Sequence, residues 1–96
     1  MQIAWTPLAS ANLADLLGYS SESGGFGAAN QAEAIVESIN TLSGFPEMGR
    51  AGRRRGTREL VVTGTPYIVA YRIRKGAIEI LGIVHGARRW PRSFAG

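Results

Sequence analysis

Five arginines, Arg50, Arg53, Arg54, Arg55 and Arg58, crowd into nine residues of this chain and are interleaved with Gly49, Gly52 and Gly56. Each guanidinium is a planar fork that fits a carboxylate or a phosphate, and bunching the forks creates a local field that scattering would not. The pattern therefore reads as a basic arm for phosphates or for the acidic side chains of a partner. The alternative is a solvated loop that only aids solubility. A second cluster opens at the single histidine, in His85-Gly86-Ala87-Arg88-Arg89-Trp90-Pro91. A general acid or base there would need reach to a substrate hydroxyl and cations to hold a leaving phosphate, which Arg72, Arg88 and Arg89 could supply. Chemistry alone favours the plainer use, a strand-end histidine whose ring nitrogens bond backbone and order the segment that follows. Asp15 is the lone aspartate, so no Ser-His-Asp arrangement can be built, and Glu59 and Glu79 read as salt-bridge partners among arginines.

The composition removes most other chemistry. With no cysteine, disulfides, thiolate nucleophiles, zinc fingers and iron–sulfur clusters are excluded, and one histidine is too few for an ordinary zinc or copper site. No metal or cofactor is expected. No apolar run approaches the roughly 20 residues of a membrane span, and Met1-Gln2-Ile3 has no basic region ahead of an apolar one, so a cytoplasmic protein without membrane contact is the expectation. Charge is divided sharply along the chain: residues 1–49 carry five acids and no base, whereas residues 50–96 carry all eleven bases and two acids. Those halves, at −5 and +9, give the net +4, with a pI near 10.4. The basic half suits a polyanion or an acidic protein surface.

Something must position these clusters, and 96 residues allow one domain, residues 1–96, with 86–96 as a basic tail. Residues 2–5 read as a short strand. Thr6-Pro7 is a helix start, with threonine as N-cap and proline at the first helical position, and predicts a helix over 7–19. Its apolar stripe is Ala9, Leu13, Leu16 and Leu17. Glycines and serines over 20–27 predict a turn, and a second helix follows over 28–42 with Ala32, Ile35, Ile39 and Leu42 facing one way. Asn12 and Asp15 fall off the stripes. Gly44-Phe45-Pro46 stops the second helix, and 47–56 reads as a Gly/Arg loop. Runs rich in Val, Ile and Tyr predict strands over 57–63, 67–74 and 77–85, joined by links short enough to force antiparallel pairing. The fold class is α+β, β-α-α-β-β-β, with an N-terminal strand and an antiparallel helical hairpin packed on a small, mainly antiparallel sheet.

Two further signals bear on function. Tyr67 and Tyr71 share a strand face with Val69 and Ile73 and read as core rather than as stacking platforms for bases. Trp90, flanked by Arg89 and Pro91, reads as an anchor onto its own domain or onto a partner. Gly24-Gly25-Phe26-Gly27 follows a helix and lacks a lysine, so it is no phosphate loop.

Four stretches in register carry a resemblance over nearly the whole chain. Gly56-Thr57-Arg58-Glu59-Leu60-Val61-Val62, Tyr67-Ile68-Val69-Ala70-Tyr71-Arg72, Ile78-Glu79-Ile80-Leu81 and His85-Gly86-Ala87-Arg88-Arg89-Trp90-Pro91 resemble the ParE branch of the ParE/RelE toxin superfamily. Trp5, Leu13, Leu16, Tyr19 and Phe45-Pro46-Glu47-Met48-Gly49-Arg50 agree with it. The resemblance implies the toxin of a bacterial type II toxin–antitoxin system, held inactive by a ParD-like antitoxin that wraps it, and poisoning DNA gyrase by binding rather than by catalysis. It implies no sequence-specific DNA binding by the toxin alone. The alternative within the superfamily is a ribosome-dependent mRNA endoribonuclease of the RelE kind, which here would use His85, Arg72 and Arg88. That branch usually places an arginine after the tyrosine opening its middle strand, where this chain has Ile68, and an apolar side chain cannot steady a scissile phosphate. Where the ParE-like pattern often has a long residue, this chain has Gly82, which predicts a bulge or a close approach.

The expected surfaces follow. The antitoxin is assigned to the arginine loop, Arg50, Arg53, Arg54, Arg55 and Arg58, and to a groove beside Leu60 and Tyr71, because an elongated partner needs an apolar trough and forks for its carboxylates. The target is assigned to the end of the sheet and the tail, at His85, Arg88, Arg89, Trp90 and Arg92, residue types that dominate binding hot spots.

Overall fold

The computed structural model describes residues 1–23, 26–87, 90, 91 and 94. In chain order it forms β1 (Gln2–Trp5), α1 (Pro7–Ser23), α2 (Phe26–Leu42), β2 (Arg50–Ala51), β3 (Arg58–Val61), β4 (Tyr67–Arg74) and β5 (Ala77–His85). The strands make one sheet in the order β1-β5-β4-β3-β2, antiparallel throughout except that β1 runs parallel to β5. The α+β reading stands, with changes at the edges. Both helices run closer to the hairpin tip than expected, because Ser and Glu cost a helix only a few tenths of a kcal/mol each and a serine-rich run need not end one. The Gly24–Gly25 pair of the expected turn lies outside the described residues. The loop expected over 47–56 contains β2, two residues paired as Arg50↔Glu59 and Ala51↔Arg58, too short to show any period in sequence.

Thr6 caps α1 as its type requires: its Oγ1 accepts from the Ala9 N–H at 3.2 Å. The same hydroxyl donates to the Ile80 carbonyl at 2.7 Å, so the cap also fastens the helix to β5. Lys75 and Gly76 both take positive φ, 51° and 74°, in the two-residue turn between β4 and β5. That turn matches the twist of its strands and fixes their register from Tyr67↔His85 to Arg74↔Ala77.

One face of the sheet meets the helices. Ile35, Ile39 and Leu42 of α2 are fully buried there, with Val69 and Tyr71 of β4 and Ile78 and Ile80 of β5. Each such aliphatic side chain contributes about 1.5–3 kcal/mol. Leu17 departs from the expected stripe and is 46% exposed. It lies about 100° around the helix from Leu16, and only one of the two can point inward. Asn12, expected on the outer side, instead turns its Oδ1 to the Ile83 N–H at 3.0 Å. That N–H faces the edge of β5 beyond Trp5↔Ile80, the last pair with β1, so it needs a side-chain partner. β5 is also bulged here. Ala70 pairs with Gly82 while Tyr71 pairs with Ile80, which leaves Leu81 as the extra residue.

Candidate interaction surface

Strand alternation places Glu59, Ile68, Ala70, Arg72, Glu79 and Gly82 on the face away from the helices. Glu59 is the hinge of this face. Its side chain is only 5% exposed, and its carboxylate accepts from the Arg53 backbone N–H at 2.7 Å and pairs with Arg50 Nη2 and Arg53 Nε, each at 3.4 Å. A buried carboxylate is tolerated only with such partners. The predicted salt-bridge roles of both glutamates hold: Glu79 Oε1 accepts from Arg72 Nε at 2.6 Å. The β2–β3 connection is thus an ordered turn, not an open arm. Thr57 returns both its backbone N–H and its hydroxyl to the Arg54 carbonyl, and Gly56 supplies the positive φ of 77°.

The arginines of the cluster divide by use. Arg58 is committed inside the protein, its Nη1 donating to the carbonyls of Gly49 at 2.8 Å and Glu47 at 3.2 Å. Arg50 and Arg53 share Glu59 yet keep 60% and 49% of their side chains exposed. Arg55 is exposed and makes no ion pair among the described residues.

Arg53 and Arg54 reach the tail. The Arg53 guanidinium carbon lies 3.5 Å from the centroid of the Trp90 ring, a cation–π contact with the best aromatic partner. Arg54 Nη2 donates to the Pro91 carbonyl at 2.6 Å. Arg54 Nε and Trp90 Nε1 are both buried without a hydrogen-bond partner among the described residues. Further along, Phe94 sits against Gly82, where a Cβ would come within 2.8 Å of its ring. Of the two expected purposes Gly82 serves the close approach, while the bulge falls at its neighbour Leu81. Trp90 anchors onto its own domain. Arg88, Arg89 and Arg92, assigned to the target surface with it, lie outside the described residues.

His85 takes the plainer role. Its Nδ1 accepts from the Ala87 N–H at 3.1 Å, and its ring meets Tyr67 edge-on at 5.5 Å. Arg72 stands five residues further along β4 than Tyr67, the partner of His85, and on the opposite face of the sheet. At about 3.4 Å per residue that is roughly 17 Å along the strand. The fold does not bring His85 and Arg72 together.

The groove lies further out than expected. Tyr71 is fully buried and Leu60 is 8% exposed, so neither offers a broad surface, and the assignment of Tyr71 to a partner contact is corrected. Its hydroxyl instead donates to the Pro46 carbonyl and accepts from the Gly49 N–H, both at 2.8 Å. Burial pushes its pKa above 10.0, partly offset by the Gly49 hydrogen bond and the charge of Arg58. Tyr71 thus clamps the 45–49 loop from beneath, and Gly49 has no room for a Cβ against its ring. The groove itself, about 430 Å³, runs between α2 and the outer edge of β3, lined by Ala34, Glu37, Thr41, Met48, Leu60 and Val61. Met48 and Val61, at 46% and 49% exposed, form its apolar rim, and Met48 is shared with a neighbouring hollow lined by Phe45, which is 66% exposed. Sequence pattern missed Phe45 and Val61 because an exposed apolar residue in a loop or on a strand's outer face looks the same as a core residue.

A family model described as the ParE toxin of the type II toxin–antitoxin system parDE matches residues 3–90. A relative from Sinorhizobium fredii, Y4kP, provisionally named a toxin, is 35% identical over 91 residues, covering 95% of this chain and 94% of its own. The toxin RelE2 of Caulobacter vibrioides is 32% identical over 87 residues, covering 91% and 97%. Among solved structures, a chain of a chromosomal ParDE system from P. aeruginosa superposes with a TM-score of 0.77 at 27% identity, over 88% of this chain and 95% of that one.

Proposed function

Because this chain belongs to the ParE toxin family of type II toxin–antitoxin systems, we propose that it arrests bacterial growth by binding and poisoning DNA gyrase in the cytoplasm, and that a ParD-like antitoxin neutralises it. The observation that carries the binding mode is the separation of His85 from Arg72, at opposite ends and on opposite faces of the β4–β5 ladder. A phosphodiester cleavage site needs its general base and its charge-stabilising cation within reach of one phosphate. Nothing in that ladder supplies the pair. Ile68, where the ribonuclease branch has an arginine, is buried besides. The RelE2 name of one relative keeps mRNA cleavage as the competing reading. Supercoiling and DNA-cleavage assays with purified protein, run beside translation-coupled mRNA cleavage, decide between them. Gyrase inhibition with intact mRNA supports the proposal, and mRNA cuts without gyrase inhibition overturn it.

The groove beside β3, with its Met48 and Val61 rim and the exposed Phe45 in the hollow next to it, suits an antitoxin segment with apolar side chains. Arg50 on β2 and Arg55 in the β2–β3 connection are exposed and suit its carboxylates. Binding of that kind has an apolar centre and a salt-sensitive rim. The tail from His85 onward is the proposed target surface. Deleting residues 87–96, or combining Arg88→Ala with Trp90→Ala, is expected to abolish growth arrest while the protein still co-purifies with antitoxin. Growth curves, pull-down and circular dichroism on each variant check it.

A further inference from the structure

The loop and the tail look like separate basic segments in sequence, 37 residues apart at their Arg54–Pro91 contact. In the fold they are one assembly. Glu59 fixes Arg53 through both its backbone N–H and its guanidinium, and that guanidinium covers Trp90. Arg54, whose carbonyl is held by Thr57, extends its Nη2 to the Pro91 carbonyl. Beyond them Phe94 rests on the bare backbone of Gly82. The tail is therefore held at three successive points against the face of the sheet away from the helices. Two of those points are arginines that the sequence assigns to a different partner.

We propose that Arg53 and Arg54 are positioning residues for the tail, setting where Trp90 and Pro91 stand when the protein meets its target. The role rests on the reading of the tail as the target surface. A hot-spot tryptophan binds tightly only when it is held in place beforehand, since the entropy of fixing it is then not charged to the encounter. Arg53 does this by stacking, which needs its flat guanidinium. Lysine at the same position keeps the charge but not the plane. The pull of Glu59 on Arg53 makes the hold rigid, because the stacked group is fixed at its backbone as well as at its tip.

Trp90 itself reports the outcome. The chain has two tryptophans, so Trp5→Phe leaves Trp90 as the sole indole of the full-length protein. In that background Arg53→Ala and Arg54→Ala are expected to raise acrylamide quenching of Trp90 about twofold as the ring loses its cover. Arg53→Lys is expected to fall between, and Arg74→Ala, an exposed cation at the far end of β4, to match the parent. Circular dichroism establishes that each variant is folded, and the lysine variant serves if the alanine one is not. Growth arrest is then read in cells without antitoxin, so that any loss of antitoxin contacts has no effect. There Arg53→Ala and Arg54→Ala are expected to lose arrest. Unchanged quenching in both alanine variants overturns the positioning role whatever the growth curves show. Freed Trp90 with undiminished arrest overturns its link to function. In that case Trp90→Ala locates the fault: if it too still arrests growth, the tail is not the target surface, and if it does not, the positioning is at fault.

Discussion

The two faces of the sheet are held by different forces. Toward the helices, Ile35, Ile39, Leu42, Val69 and Ile80 bury aliphatic surface with no polar atom to satisfy. Away from them, a buried carboxylate, three committed arginines, a stacked tryptophan and a glycine seat do the holding. The first kind of contact is non-directional and insensitive to salt. The second depends on geometry and on charge and is exchangeable with the same groups on a partner. The lesson is one of kind: the helical face is held by aliphatic burial, the opposite face by directed contacts between charged, aromatic and backbone groups.

Substitutions can break that comparison or sharpen it, and the largest effect belongs to the helical face. Ile39→Ala is expected to cost about 2–5 kcal/mol, read as a drop in the urea midpoint below the parent's that is the same at low and high salt. On the other face, Glu59→Ala removes the shared acceptor of Arg50 and Arg53. It is expected to cost about 1–3 kcal/mol, and to expose Trp90 to quencher as Arg53 loses its anchor. A salt-dependent loss for Ile39→Ala, or a Glu59→Ala protein with Trp90 still covered, would erase the contrast.

Tyr71→Phe comes next, at about 1–2 kcal/mol, for the Gly49 N–H and Pro46 carbonyl it leaves without their partner. Its pH dependence has a definite sign. The folded-state pKa of Tyr71 is raised, so the folded protein holds the phenol proton more tightly than the unfolded chain does. Its contribution is complete below the unfolded value near 10 and is lost as pH rises through the folded one. Urea midpoints measured from pH 8 to 11 should fall more steeply for the parent than for Tyr71→Phe. The smallest effect is expected of Gly82→Ala, whose methyl group would press on Phe94 at about 2.8 Å. It should shift the tail with less than about 1 kcal/mol of stability lost, since the ring can move aside. Trp90 emission and the thermal midpoint check the two halves of that statement.

What the sequence revealed follows the same division. Regular apolar spacing announced the helices and the three main strands, because the helical face is built from periodic burial. Thr6-Pro7 and Lys75-Gly76 announced their cap and turn by local chemistry. The other face has no period to read. Nothing in the spacing joins Arg53 to Trp90 or Asn12 to Ile83, since the first needs the two-residue strand β2 in place and the second needs β5 to run past the end of β1. Tyr71 misled for a related reason: alternation placed it correctly on the core face, but its hydroxyl reaches a loop more than 20 residues earlier, and pattern does not show reach. The glutamates were legible because a lone acid among arginines has few other uses.

The parallel pairing of β1 with β5 also sets the order of events during synthesis. The first strand finds its partner 75 residues later, at Gln2↔Ala77, and the Thr6 hydroxyl that caps α1 meets its acceptor on β5, the Ile80 carbonyl, later still. At about 5–20 residues per second, those early residues stand without their neighbours for roughly 4 to 15 s after they are made. A chain that stops short of β5 has no place to dock its first strand, so an interrupted translation product cannot close the sheet. The sheet therefore closes late, once the last strand has been made.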